Sequence, residues 1–340
     1  MHRLSLPKSR KLRVEQLEQR RLLATFTVLN SSDSGDGSLR QAIEQSNANP
    51  DSDDIVFNIQ SPSLTIQLAS PLPTLTSPVS IDGTTQPGFT GEPILVLSGI
   101  ALEGTTSGIT IAGGDSVLKG LVIQGFGGAG VRIDGLGNNT ISNTYIGTDA
   151  TGETEVPNDF AGIYIVDSSN NVIGGRYGLD GNLISGNRAE GIRIEGTSST
   201  GNRIQGNRIG TDQLGIDAVP NGAAGVLLEG AASLNVIGTN GDGIEDASER
   251  NLISGNVGVG VRMYGAQANQ ISGNWIGLTA SGRHALANGK QGILVDLQST
   301  GNMIGSNADG LSDSLERNVV SGNGDSGIEF ANAMTSANVV

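Results

Sequence analysis

The chain contains no cysteine, which excludes disulfide cross-links, thiolate metal sites and cysteine nucleophiles. Histidine is nearly as scarce, with His2 near the start and His284 in a loop segment as the only two. Neither sits in a motif that supplies a base with a partner. The Gly-His-Gly of polygalacturonases and the Asp-Pro-His of epimerases are both absent. Aromatic residues make up 3% of the chain, so any core is assembled from Ile, Val, Leu and Ala. No apolar run approaches the ~20 residues of a membrane-spanning helix. Gly-rich phosphate loops and Ser/His/Asp constellations are missing as well.

Glycine is abundant, at 52 of 340 residues, and asparagine is frequent beside it. Both tolerate left-handed backbone conformations, so turns recur along the whole length. The net charge is -14, and it is unevenly spread. Arg3, Lys8, Arg10, Lys11, Arg13, Arg20 and Arg21 face only Glu15 and Glu18 in the first 24 residues, leaving that segment at +5 and the remainder at -19. An acidic body argues against nucleic acid as a partner, because phosphate binding rests on Lys and Arg. The basic head reads as a targeting segment.

That head contains Leu17-Glu18-Gln19-Arg20-Arg21-Leu22-Leu23-Ala24. It resembles the LEPR-XLL leader of large bacterial surface proteins, with Gln19 where that family has Pro. The resemblance implies export, to the cell surface or the extracellular space. Next, Thr25–Leu29 reads as a strand and Ser31–Gly37 as a turn. Ser38-Leu39-Arg40-Gln41 has the form of a capping box opening a short helix that ends near Asn47, and Asp54–Ile59 returns to strand. The run Gly35–Ile59 resembles the N-terminal module of bacterial β-helix adhesins, and its helix would cover the exposed end of a solenoid.

From residue 129 one pattern recurs seven times. It opens at Gly130, Gly162, Gly191, Gly225, Gly260, Gly292 and Gly327, with spacings of 32, 29, 34, 35, 32 and 35 residues. An Asn-x-Ile/Val element follows each, beginning at Asn139, Asn171, Asn202, Asn235, Asn269, Asn302 and Asn338. A third element ends at Ile146, Ile184, Ile209, Ile253, Ile276 and Val320. Three short strands per unit, each with inward positions of period two, describe a coil of a parallel β-helix rather than helices or hairpins. Inward ladders follow: Val131, Ile163, Ile192, Val226, Val261, Ile293, Ile328 in one, and Ile141, Ile173, Ile204, Ile237, Ile271, Ile304 in another. The leading Asn residues are expected to stack amide on amide.

The gap from second to third element is five residues at Ile141–Ile146, Ile204–Ile209 and Ile271–Ile276, but 11 or 16 in the coils between. The gap to the next Gly alternates oppositely, between 16 and seven. Loops therefore leave one corner on odd coils and another on even coils. The organisation expected is a leader over 1–24, a capped start over 25–60, irregular early coils over 61–128 and regular coils over 129–340. The seventh coil stops at Asn338-Val339-Val340 without a polar cap, so the chain is expected to be a fragment of a longer repeat protein or to be covered there by a partner.

The pattern resembles bacterial right-handed β-helix repeat proteins, a group that holds surface adhesins as well as polysaccharide lyases, hydrolases and epimerases. Fold alone does not decide among them. In the long loops, Asp242, Glu245, Asp246 and Glu249, echoed by Asp309, Asp313 and Glu316, offer oxygens to Ca²⁺, but their spacing lacks the EF-hand pattern. No catalytic or metal-binding residue and no cofactor is assigned. The outward side of the first strand is the candidate ligand face: Arg132, Asp134, Tyr164, Arg193, Glu195, Arg262 and Tyr264. Arg recurs there on every second coil, ~10 Å apart, which would suit an acidic glycan, with the two Tyr as ring platforms. The expected function is a non-enzymatic, adhesin-like surface module whose partners are extracellular glycans or other surface proteins. A lyase or epimerase acting on an acidic glycan, and a passive spacer, are the alternatives.

Overall fold

The computed structural model describes residues 23–178, 180–332 and 335–340. The leader, apart from its last two residues, lies outside them. Among the described residues the chain winds through three parallel sheets: ten strands in sheet A, nine in sheet B and eight in sheet C. Each regular coil visits them in turn, for example Arg203–Gln205 in sheet A, Arg208–Ile209 in sheet B and Val226–Glu229 in sheet C. Strand, crossover and parallel strand wind right-handed. No described helix is long and apolar enough to cross a membrane.

The helix Leu39–Asn47 is capped by Ser38, whose hydroxyl oxygen accepts from the Gln41 N–H, and the Gln41 side chain accepts from the Gly37 N–H at 2.7 Å. Its buried face of Leu39, Ala42 and Ile43 joins the same apolar cluster as Val28 and Ile55 on the first two strands of sheet A. The helix thus closes the first coil, as the sequence predicts. The first coil has no strand in sheet C; Leu75 holds its place with one bridge to Ile111.

The inward ladders form in the predicted register. Ile163 pairs with Val131 and Ile192, and Ile204 with Ile173 and Ile237. All are fully buried, as is the third ladder, Ile146 through Ile276. The Asn ladder also forms: each side-chain N–H₂ from Asn139 to Asn302 donates to the next coil's amide oxygen at 2.8–3.0 Å. Two further ladders stand at the other corners. Asn182, Asn207, Asn251, Asn274 and Asn318 lead into sheet B at 2.9–3.1 Å. Asn158, Asn187, Asn221, Asn256, Asn288 and Asn323 lead into sheet C at 2.8–2.9 Å. Every corner of the coil therefore carries a buried polar column whose donors and acceptors are satisfied, which is what permits so much polar burial.

Candidate functional sites

The outward face of sheet C stands in two columns. Arg132, Tyr164, Arg193, Leu227, Arg262 and Leu294 pair strand to strand in the first, and Asp134, Val166, Glu195, Glu229, Tyr264 and Asp296 in the second. All seven residues singled out from the sequence lie here. Within this face the arginines are already engaged. Arg132 holds Asp134 at 2.5 Å, Arg193 holds Glu195 at 3.1 Å and also Glu229, and Arg262 holds Asp296 at 3.0 Å. Tyr164 donates its hydroxyl to Glu195 at 2.6 Å. Its ring lies beneath two guanidinium groups, Arg132 at 5.0 Å and Arg193 at 5.6 Å, with Phe160 edge-on at 5.3 Å. Arg262 covers Tyr264 at 4.8 Å. The three arginines are thus paired with carboxylates within the face, and both tyrosine rings stack on arginine.

Burial, the Glu195 hydrogen bond and the Glu195 charge push the Tyr164 hydroxyl up to about 12, so it stays a neutral donor. Glu229 is also held above the usual carboxylate range, chiefly by burial. Arg193 opposes this shift, while the nearby Glu195 and Glu190 add to it.

A second site lies where the sequence gives no signal. Loops from the A–B corner and from the B–C corner leave on either side of sheet B and stand as two walls over it. Between them lie two adjoining hollows of about 290 and 220 Å³ that share Gly178 and Arg208. The floor is the outward column Tyr145, Leu183, Arg208, Leu252, Trp275, paired strand to strand. Four interstrand steps make it ~19 Å long. Gly282 has φ +67°, and a Cβ there would lie 3.0 Å from the Trp275 ring, so the B–C loop passes close beside the indole only because it carries no side chain.

The electrostatics of this groove differ from those of sheet C. Arg208 is exposed and makes no ion pair among the described residues. Arg250 lies 4.6 Å above the Trp275 ring and donates its Nε–H to the Gly273 carbonyl at 2.9 Å, with no carboxylate partner among the described residues. Burial pulls its pKa below the ordinary arginine value, yet a guanidinium stays charged at neutral pH. Tyr145 donates to Gln213 at 3.0 Å, and burial, with Glu92 adding, pushes its hydroxyl up to about 12. Tyr177 lines the Arg250 end, and Glu92 is the single carboxylate in the two linings.

The loop carboxylates that could have offered oxygens to Ca²⁺ serve their own loops. Asp242 accepts from the Ile244 N–H, Asp246 from Gly243 and Glu249 from Asn240; Asp309, Asp313 and Glu316 repeat this on Leu311, Gly310 and Asn307. Among the described residues no group of three acidic or histidine side chains is placed to hold a metal ion. His284 contributes its backbone carbonyl to Thr279 within a B–C loop.

No family model and no curated protein sequence matches the chain. Solved structures do. The periplasmic alginate epimerase AlgG is 14% identical, with 85% of this chain covered, 59% of that one and a TM-score of 0.51. ORF18 of Geobacillus virus E2 is 9% identical, with 93% and 62% covered and a TM-score of 0.51. The shared feature is the right-handed parallel β-helix. The chain spans about three fifths of the length of these two structures. At such identities the fold is common ground, and function rests on the residues described above.

Proposed function

We propose that this protein is an exported glycan-binding β-helix that holds an acidic polysaccharide in the groove over sheet B. The observation that carries the reading is Arg208: an exposed guanidinium without an ion pair among the described residues, shared by both hollows and on the same column as Trp275. Guanidinium forks recognise carboxylate and sulfate oxygens, and an indole edge or face packs against the apolar side of a sugar ring. An alginate epimerase among the structural neighbours supports a carbohydrate-directed role, and its periplasmic location supports export. The leader-like head supports export too, with attachment to a surface as its adhesin-like form. The linings pair no second carboxylate with Glu92, and the Tyr145 hydroxyl stays protonated, so the reading is binding rather than turnover.

A second reading places chemistry on sheet C. Glu195 and Glu229 are adjacent carboxylates, one held by Tyr164 and the other raised in pKa, and such pairs divide acid and base roles. Calorimetric titration with uronate and neutral oligosaccharides separates the sites. Acidic chains should bind the native protein, bind at least tenfold more weakly to the Arg208→Ala/Arg250→Ala variant, and bind unchanged to Arg132→Ala/Arg193→Ala/Arg262→Ala. Loss with the triple variant alone would move the site to sheet C. Unsaturated-product absorbance from pectin, alginate or chondroitin would establish a lyase, and no binding at all would leave a spacer.

A further inference from the structure

Along the leading edge of sheet C runs a hollow of about 250 Å³, lined by Glu190, Ala224, Leu227, Val259, Arg262 and Lys290 among others. Its origin is legible coil by coil. The residue two positions after each ladder Asn at this corner runs Phe160, Ala189, Ala223, Gly258, Lys290. Three small residues thus lie between a ring and a long side chain. A Cβ on Gly258 would meet the Ala223 backbone at 2.8 Å, so this corner cannot fill itself. On the sheet, Leu227 replaces the arginine of the neighbouring coils and leaves an apolar floor with Ala224 and Val259, each 6–7% exposed.

The rim is charged with opposite signs at its two ends. Glu190 makes no ion pair among the described residues, and its buried Oε2 has no hydrogen-bond partner. At the other end Arg262 keeps a buried Nε without a partner among the described residues while one terminal nitrogen holds Asp296. Lys290, one coil further, is exposed and makes no ion pair among the described residues. Glu190 precedes Ile192–Glu195, Arg262 stands two strands later and Lys290 precedes the third. Successive strands ~4.8 Å apart put the opposite charges ~10 to 14 Å from each other.

We propose that this hollow binds an extended peptide segment of three or four residues, with a cationic side chain at Glu190, a carboxylate at Arg262 and Lys290, and small aliphatic side chains on Leu227. An extended chain advances ~3.3 Å per residue, which matches the charge separation. No aromatic ring lines the hollow, which disfavours a sugar. The backbone N–H groups at this corner are already bonded to the preceding coil, Gly222 to Asn187 and Gly258 to Ala223. Recognition therefore runs through side chains.

The test titrates capped Lys-Val-Ala-Asp into the intact protein by calorimetry. Binding should weaken about fivefold in Glu190→Gln and in Lys290→Gln, one partly screened ion pair each. Glu190→Lys should transfer the preference to capped Asp-Val-Ala-Asp, a gain that misfolding cannot mimic. Arg208→Ala should leave peptide binding untouched, which separates this site from the glycan groove. The proposal fails if Lys-Val-Ala-Asp does not bind at millimolar concentration. It fails equally if Glu190→Lys shows no change of preference, or if an acidic oligosaccharide displaces the peptide from the native protein but not from Arg208→Ala.

Discussion

Arg250 lies with its guanidinium 4.6 Å from the Trp275 ring centroid, although the two come from successive coils and the arginine belongs to a loop. Trp275 is the only tryptophan in the chain. Its fluorescence therefore reports on the groove alone. An acidic oligosaccharide should shift or quench the emission at concentrations that leave Arg208→Ala unchanged. Because the charge contacts are partly exposed, the titration midpoint should move to higher ligand concentration as salt rises toward 1 M, where the screening length falls to ~3 Å. An emission change equal in the native protein and in Arg208→Ala would separate the indole from the anion contact.

Asn202 illustrates what the polar corners contribute. Its side-chain N–H₂ donates to the Ser168 carbonyl and to Asn235, while its amide oxygen accepts from both the backbone and the side chain of Asn171. Asn202→Ala strands buried donors on Asn171, each costing ~1–3 kcal/mol. The expected loss is thus several kcal/mol, read as an earlier midpoint in urea. Asn58, exposed and with its side chain bonded only to the exposed Gln60, gives the comparison: Asn58→Ala should leave the midpoint within ~0.5 kcal/mol of native.

The repeat is legible in the sequence because its inward positions recur at fixed offsets, so Ile204 aligns with Ile237 by counting alone. One of the three Asn ladders stands out in the same way. The ladder leading into sheet B carries a similar signal, as in Asn182-Leu183-Ile184 and Asn251-Leu252-Ile253, but unequal loops on either side blur its spacing and leave only the final Ile in clear alignment. The columns of sheet C are also foreseeable, but not that Arg193 reaches both Glu195 on its own strand and Glu229 on the next. Reach of that kind depends on rotamers. The groove over sheet B is hidden for another reason: its walls are loops of unequal length, and Arg250 reaches the column of Arg208 and Trp275 only once its loop folds over the sheet.

Ile204 tests the core. It is fully buried between Ile173 and Ile237. Truncation to Ala should cost ~2–5 kcal/mol through lost burial and a residual cavity. Ile204→Asp places an unpaired carboxylate in an aliphatic stack and should abolish cooperative unfolding at neutral pH. Thermal melts followed by circular dichroism decide it, and a near-native midpoint for Ile204→Asp would refute the ladder.

Glu229 gives the face of sheet C a pH signature. Its carboxyl is raised above 4.5, first by burial, with Arg193 opposing and Glu195 and Glu190 adding. The folded state therefore holds this proton more tightly than the unfolded chain does. That contribution to stability is complete below pH 4.5 and is lost as pH rises through the folded value. Removing Arg193 takes away the group that opposes the shift, so Arg193→Ala should lose more stability at pH 7 than at pH 4. Adding Glu229→Gln removes the titrating group and should restore much of the difference at pH 7 while changing little at pH 4. Melting temperatures for the native protein, the single variant and the double variant across this range measure the effect. A deficit in Arg193→Ala that is equal at both pH values would show that its packing on Tyr164 and Phe160, rather than its charge beside Glu229, is what the face requires.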